Sequence, residues 1–304
     1  MSAKHLFATS SAITVAACLG TAALLPVNES KAVPAAQTDP NVIYLTGTVR
    51  DFIERTKPNG HPDFERQPSA GFGLYCKNIS PTLSSEGKPV YVGGGRLINS
   101  QWKDNQNRPI CWNLFNAALG DTAGSLGTAS TGGIATAESF NKWFTDVPGV
   151  NLSSPLTLKF VKGADGSYVF DDKLDTTYES MGGFFPIDHL LFGNSGGSPA
   201  HNFHFTFELH TEFTYHANTG QVFKFIGDDD VFVYINNQMV IDLGGVHSAK
   251  EQFVDLDRLG LTDGHNYRLD FFFAERHRTQ SNFRIQTNLV LDTPLEPSVT
   301  WTYD

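Results

Sequence analysis

Short strand patterns separated by turns fill the second half of this chain of 304 residues, and they constrain its fold more than any other feature. The stretch 204–215 (HFTFELHTEFTY) alternates strictly between apolar and polar residues, which is the period of a half-buried strand. Turn-forming residues follow at 218–220 (NTG) and at 236–237 (NN), each between apolar runs. Two last runs, 267–274 (YRLDFFFA) and 283–291 (FRIQTNLVL), complete the set. The sequence therefore predicts an all-β fold, an antiparallel β-sandwich.

The first half of the chain is less regular. A strand is predicted at 42–49 (VIYLTGTV) from its β-branched residues, and one short helix at 138–144 (ESFNKWF). The region 51–134 is rich in Gly, Pro and Asn, so we expect a loop-rich portion that packs on the sandwich. Because no linker, repeat or change of composition divides these segments, we predict one domain over 42–292, with the sandwich core at about 150–292.

The charge balance bears on which partners the chain can bind. It has 22 Lys and Arg against 32 Asp and Glu, a net charge of −10, and 40% hydrophobic residues. The hydrophobic share is enough for a folded core. Because basic residues do not cluster anywhere, nucleic acid and anionic membranes are not expected partners.

The N-terminus has the pattern of a secretory signal peptide, which we predict over residues 1–32. Basic residues precede an apolar run at 6–25, and 30–32 (SKA) places small residues where a signal peptidase cuts, although cleavage near Ala36 is equally allowed. A loose lipobox at 15–18 (VAAC) leaves a lipoprotein open. A retained membrane anchor is a third option, which the Ser, Thr and Gly content disfavours. We therefore expect a secreted or cell-surface protein without a transmembrane anchor in its mature form.

Removal of the signal peptide would leave two cysteines, Cys76 and Cys111. In an exported chain, two cysteines favour one disulfide that closes a long loop. Two free thiols are the alternative.

Three adjacent carboxylates, Asp228, Asp229 and Asp230, stand between two apolar strand patterns. Like charges this close repel one another unless a cation lies among them, and Ca²⁺ is the ion that prefers carboxylate and carbonyl oxygens. Adjacent strand residues point to opposite faces, so a shared ion needs a bend in the backbone, which Gly227 permits. The alternative is that these residues make turn and capping hydrogen bonds in a solvated loop.

The same region resembles a known family. The stretch 227–247 (GDDDVFVYINNQMVIDLGGVH), followed by 256–285 (LDRLGLTDGHNYRLDFFFAERHRTQSNFRI), is similar to the fibro-slime domain, a branch of the PA-fourteen (anthrax protective-antigen-like) β-sandwich superfamily. Upstream segments resemble it in the same order: 45–52 (LTGTVRDF), 61–65 (HPDFE), 140–151 (FNKWFTDVPGVN), 184–188 (FFPID) and 201–213 (HNFHFTFELHTEF). The resemblance implies a jelly-roll sandwich in a secreted or surface protein, from a superfamily used to bind carbohydrate.

The resemblance also implies a set of site residues. In calcium-dependent sugar-binding members, two consecutive Asp joined by a cis peptide bond hold the ion, and sugar hydroxyls complete its coordination. That pair matches Asp228 and Asp229, while Asp230 stands where many members have Gly or Ser. Those members add an Asn after a late strand, and Glu275 falls near that place, so we predict it as a fourth metal ligand. Asp228 and Asp229 would also contact the sugar, and further carbohydrate contacts are predicted at the rim: Asp242, His247, Arg276, His277 and Asn282.

Enzymatic roles and other metals have weaker support. The stretch 193–197 (GNSGG) satisfies G-x-S-x-G, but no helix pattern follows it, so a flexible loop is the better interpretation. Asp228 and Asp230 are too close in sequence to serve as separate acid and base of a glycosidase. One polar strand face could hold a transition metal, although an exposed face of ionisable residues is the ordinary case. That face consists of His204, Glu208, His210, Glu212 and His216.

These patterns lead to one functional hypothesis and its alternatives. We predict a non-enzymatic, lectin-like protein that binds glycan or matrix polysaccharide, with Ca²⁺ as its cofactor. The main alternative is a structural slime or matrix component without sugar binding. A third and weaker hypothesis is hydrolysis through Ser195.

Overall fold

The computed structural model describes residues 39–292, and nearly all of the regular secondary structure within them is antiparallel β-strand. The strands are β1 (Val42–Phe52), β2 (Tyr75–Cys76), β3 (Arg96–Ser100), β4 (Trp102–Lys103), β5 (Pro109–Ile110), β6 (Ser125–Ala129), β7 (Asn151–Lys162), β8 (Tyr168–Asp171), β9 (Phe205–Thr214), β10 (Val222–Gly227), β11 (Asp230–Ile235), β12 (Gln238–Leu243), β13 (Lys250–Asp255), β14 (Asn266–Glu275) and β15 (Phe283–Thr287). The α-helices are α1 (Ala137–Phe140) and α2 (Thr176–Met181), and three short 3₁₀ helices lie at Trp112–Leu114, Ala117–Leu119 and Leu256–Arg258. The predicted all-β class is confirmed.

Ten of these strands form one large sheet in the order β12-β11-β14-β9-β1-β7-β8-β15-β10-β13, with antiparallel neighbours throughout. The sheet curls until the inner face of β14 meets that of β15. Phe283 of β15 lies 5.5 Å from Phe271 and 5.1 Å from Phe273, measured between ring centroids. The predicted sandwich is therefore a single sheet folded on itself around an aromatic core.

The alternating pattern of β9 explains how this core is filled. Phe205, Phe207 and Leu209 point into the sandwich and are buried. The opposite face is buried as well at the start of β9 and the end of β14, because the segment around α1 packs on it. Phe144 lies 5.0 Å from Phe272 between ring centroids, and the Thr206 hydroxyl donates a hydrogen bond to the backbone carbonyl of Trp143. Polar side chains on this part of the two strands therefore lie inside the protein.

The N-terminal strand is part of the sheet itself. β1 pairs with β7 along its whole length and with β9 over Thr48–Asp51, so it lies between strands that follow it in sequence by about a hundred residues or more. The helix predicted at 138–144 is shorter than expected. It starts at a capping box in which the side chains of Thr136 and Ser139 bond each other's backbone N–H, and it ends after Phe140.

The region 51–134 contains two small sheets, β2-β3-β6 and β4-β5. It attaches to the large sheet beyond β12, where Tyr75 and Gly244 exchange two backbone hydrogen bonds of 2.6 and 2.9 Å. These loops therefore lie beside the end of β12 and close to the segment 228–230.

The predicted disulfide is not formed. Cys76 and Cys111 are both buried free thiols, which corresponds to the alternative stated for this pair. Burial, with the nearby Asp242 carboxyl as the next contribution, raises the pKa of both thiols. Because thiol–disulfide exchange proceeds through the thiolate, both groups are unreactive in the folded chain and pack as small apolar side chains.

The predicted signal peptide lies outside the described residues. Among residues 39–292, the structure contains no helix long and apolar enough to cross a membrane.

The aromatic core yields a test of the curled sheet. Phe283 packs against aromatic rings of both layers, so Phe283→Ala should lower the free energy of unfolding by about 3–5 kcal/mol. Phe192→Ala, at a ring that is 40% exposed, should change it by less than about 1 kcal/mol. Urea unfolding followed by fluorescence measures both. Equal effects of the two variants would contradict the described packing.

Candidate calcium and ligand site

The predicted acidic residues meet where three strands end or begin. Asp228 and Asp229 connect β10 to β11, Asp230 is the first residue of β11, and Glu275 is the last residue of β14. Because Asp230 pairs with Ala274 in the register of β11 and β14, Asp229 is brought opposite Glu275. The peptide bond between Asp228 and Asp229 is cis. Gly227 is required just before it, since a Cβ there would lie 2.2 Å from the Asn282 carbonyl oxygen.

Asp228 and Asp229 are bound by neighbouring loops. Asn282 donates to both oxygens of Asp228, from its backbone N–H at 2.7 Å and from its side-chain amide at 2.8 Å. Asp229 accepts from the backbone N–H groups of His247 and Arg276, each at 3.1 Å. The predicted rim residues His247 and Asn282 are therefore in direct contact with the aspartates, His247 through its backbone.

Asp230 belongs to a closed ion pair. Its Oδ2 accepts from the guanidinium of Arg276 at 2.6 Å and its Oδ1 from the Gly245 backbone N–H at 2.6 Å. Arg276 is fully buried, its other nitrogens donate to backbone carbonyls, and its guanidinium lies 5.0 Å from the Trp143 ring centroid. Asp230 as a metal ligand and Arg276 as a sugar contact are therefore corrected, because each neutralises the other inside the protein.

Glu275 is buried without a counter-charge. Its Oε1 accepts from the His277 backbone N–H at 3.2 Å, whereas its Oε2 has no hydrogen-bond partner among the described residues. The nearby Ser281 hydroxyl donates to the Phe184 carbonyl. Burial, then Asp229, then Asp228 raise the pKa of Glu275 well above its ordinary value. An unpaired buried oxygen thus faces a region of negative charge.

The pKa values of the two neighbouring aspartates are raised as well. Burial raises the pKa of Asp228 to about 6, and burial followed by Asp228 raises the pKa of Asp229. The exposed fractions of Asp228, Asp229 and Glu275 are 1%, 3% and 0%. The alternative of a solvated loop is therefore wrong for the aspartates: the three carboxyl groups lie beneath the loops that carry His247 and Asn282.

The donor chemistry of Asp228, Asp229 and Glu275 fits a calcium ion, since all three offer carboxylate oxygen. Their oxygens do not all lie within 4.8 Å of one another. In the described part of the chain, the set of three ligand atoms that meets this distance belongs to Glu54, Glu65 and His204. The three predicted ligands would therefore have to draw together around an ion.

The group at Glu54 and Glu65 already has a cationic partner in Arg278. Glu65 accepts from His204 at 3.0 Å and from His277 at 2.8 Å, and Arg278 pairs with both glutamates. The predicted transition-metal face does not bring three of its ligand atoms together in the described part of the chain, although His210 lies 3.7 Å from Glu208 of the same face. His204 is bound to Glu65, whereas His210 contacts Asp270 at 2.6 Å.

Asp242 does not reach the rim. It is buried, and it accepts from the Lys77 backbone N–H at 2.9 Å and from the Trp112 indole at 2.8 Å. Asp242 thus holds the loop-rich region against β12, which corrects its prediction as a sugar contact.

The Ser195 hydroxyl donates to the His201 carbonyl and accepts from the Phe203 backbone N–H, so its hydrogen bonds stay within its own loop.

A groove of about 420 Å³ adjoins the carboxylates. Its walls come from 72–74 and 97–101 in the loop-rich region and from 246–250 after β12. His247 lines it, and Phe72 in its wall contacts His277 at 4.4 Å between ring centroids. Sequence reasoning missed Phe72, because no periodicity in the region 51–134 marks its position.

Comparisons with known proteins agree with this architecture. Residues 164–300 match the PA14 domain family, so the chain carries a PA14 domain, and the predicted superfamily is confirmed. It is similar to protein psiD of Dictyostelium discoideum, 42% identical over 84% of this chain and 43% of that protein, and to protein psiR of the same organism, 34% identical over 84% and 22%. The chain spans less than half the length of these relatives.

A solved structure titled as the PA14 domain of the MpAFP antifreeze protein also matches, at 16% identity and a TM-score of 0.22 over 34% of this chain and 48% of that one.

The buried ion pair yields a test. Arg276→Met leaves Asp230 without its counter-charge and should lower the free energy of unfolding by about 3–5 kcal/mol. Arg284→Met removes a partly exposed pair with Asp171 and should cost about 1 kcal/mol or less. Urea unfolding at neutral pH measures both, and adding Asp230→Asn to Arg276→Met should recover part of the loss. An Arg276 variant as stable as the Arg284 variant would contradict the described pair.

Proposed function

We propose that this chain is an extracellular, non-enzymatic glycan-binding protein in which Asp228, Asp229 and Glu275 hold Ca²⁺. The observation that carries the proposal is the unpartnered Oε2 of Glu275, buried beside two aspartates whose pKa values are raised. When bound, the ion neutralises the carboxylates and offers coordination positions to ligand hydroxyls. Secretion through the predicted signal peptide, residues 1–32, is part of the same proposal.

The electrostatics support a divalent cation at this place. Two or three buried carboxylates repel one another strongly, because the interior screens charge poorly. Arg276, the buried guanidinium beside them, is bonded to Asp230 and cannot also neutralise Glu275. The donors are all oxygens, which favours Ca²⁺ over Zn²⁺, which binds well to nitrogen and sulfur ligands.

The surroundings of the carboxylates support a ligand at the same rim. His247, which lines the groove, donates its backbone N–H to Asp229, and His277, which contacts Phe72, donates its own to Glu275. The proposed ion ligands therefore accept hydrogen bonds from the backbone of residues that line or adjoin the groove. PA14 domains bind carbohydrate in many proteins, and this is the basis for choosing a glycan.

One observation favours a second candidate function. Because the carboxylates are almost completely buried, an ion held by them could serve only to fix the loops around His247 and Asn282. The chain would then be a structural module of an extracellular matrix protein, without sugar binding.

Calcium binding predicts a stability change that depends on the ion. Calcium at a hundredfold excess over its dissociation constant should add about 2.7 kcal/mol to the free energy of unfolding of the wild-type protein. Asp228→Asn combined with Asp229→Asn should abolish this gain, whereas Glu138→Gln, at an exposed surface acid, should keep it. Thermal unfolding in calcium chloride and in chelator provides the measurement. Identical wild-type curves in both conditions would remove the calcium site.

A further inference from the structure

We propose that the groove beside the carboxylates binds one ring of a neutral pyranoside, with Phe72 as its stacking surface and the Nε2 of His247 as the partner of a ring hydroxyl. The inference rests on the proposed glycan binding and goes beyond it, because it assigns recognition to the loop-rich region 51–134.

The groove has the size of a small-molecule site. Its volume of about 420 Å³ falls within the range of about 300–1,000 Å³ that such sites occupy. Backbone hydrogen bonds hold its walls together: the Gly73 N–H donates to the Val246 carbonyl at 2.7 Å, and Tyr75 pairs with Gly244. A Cβ on Gly73 would lie 2.7 Å from the Leu97 side chain, so this wall is closely packed. The groove is therefore a preformed feature of the fold.

Phe72 supplies an aromatic surface in this wall. Its side chain is 42% exposed, although it contacts His277 at 4.4 Å between ring centroids with a 37° tilt. An exposed ring that is held in place by a neighbouring ring can bury the apolar C–H face of a pyranose at little cost in conformational entropy. This is the contact that a flat, equatorially substituted sugar ring provides.

His247, which lines the same groove, carries an unsatisfied buried polar atom. Its side chain is 9% exposed, and its Nδ1 lies 3.0 Å from the Ser248 carbonyl oxygen, so Nδ1 carries a proton and donates. The Nε2 atom has no hydrogen-bond partner within residues 39–292. A buried polar atom left without a partner destabilises the protein, and a ligand that bonds to it removes this cost. A hydroxyl fits, because it can donate a hydrogen bond to this unprotonated ring nitrogen.

The charge of the groove points to a neutral ligand. Among the polar side chains that line it, Lys250 carries the one formal charge. Uncharged amide and hydroxyl groups at Asn99, Ser100 and Gln101 match the hydroxyls of a neutral sugar.

The test uses the full chain, with cellotetraose as the neutral probe and tetragalacturonate as the acidic one. Titration calorimetry in calcium chloride and in chelator compares the wild-type protein with Phe72→Ala, Phe72→Tyr and His247→Phe. Phe192→Ala is the matched control, because its ring is exposed to a similar extent, 40%, outside the groove.

We expect cellotetraose to bind the wild-type protein, and Phe72→Ala and His247→Phe each to weaken it about tenfold or more. Phe72→Tyr and Phe192→Ala should stay close to wild type. Because Phe72 is on the surface, its variants remain informative if the His247 variant unfolds.

The other results separate the two proposals. Binding that needs calcium but survives Phe72→Ala overturns the groove and leaves the proposed function standing. Binding that survives the chelator but is lost in Phe72→Ala supports the groove and overturns the calcium bridge. If only tetragalacturonate binds, and Lys250→Gln abolishes this binding, the proposal of a neutral ligand is overturned. If neither probe binds, the whole inference is overturned. The melting curves in calcium chloride and chelator still test the calcium site independently.

Discussion

Mutual repulsion among buried carboxylates is the constraint on which the site depends. Asp228, Asp229 and Glu275 are brought together because β11 and β14 are neighbours, and burial raises the pKa of each. The protein neutralises the fourth acid, Asp230, with the buried guanidinium of Arg276. The other three are left to a cation from solution or to protonation. Calcium is proposed because the donors are oxygens and because one of them is unpartnered.

Arg276 also links the site to the rest of the fold. Its guanidinium donates to the backbone carbonyl of Asp63, whose carboxylate accepts from the Trp143 indole at 2.9 Å and from the Ser139 hydroxyl at 3.0 Å. The loop at Asp63, the segment around α1 and the end of β14 therefore meet at one buried polar network. Such a network holds its members in one arrangement when all of them are satisfied. The loop-rich region is thereby held in place beside the carboxylates.

Local sequence patterns predicted the strands, whereas the arrangement of the strands and of the site depends on contacts between residues far apart in the sequence. The alternation of 204–215 and the turn residues beyond it placed β9 and its successors, because strand period and turn chemistry are local properties. The position of β1 between β7 and β9 depends on pairing across more than a hundred residues. The same holds for Phe72, whose wall is attached to residues after β12. The aspartates were found from their spacing and from the family resemblance, but their burial and the pairing of Asp230 depend on Arg276, 46 residues away.

Anomalous diffraction from a crystal grown in calcium chloride tests the central claim most directly. The account predicts an anomalous peak coordinated by carboxylate oxygens of Asp228, Asp229 and Glu275, with the Arg276–Asp230 pair unchanged beside it. A map without a peak there, or with the ion bound at Glu54 and Glu65 instead, would contradict the account.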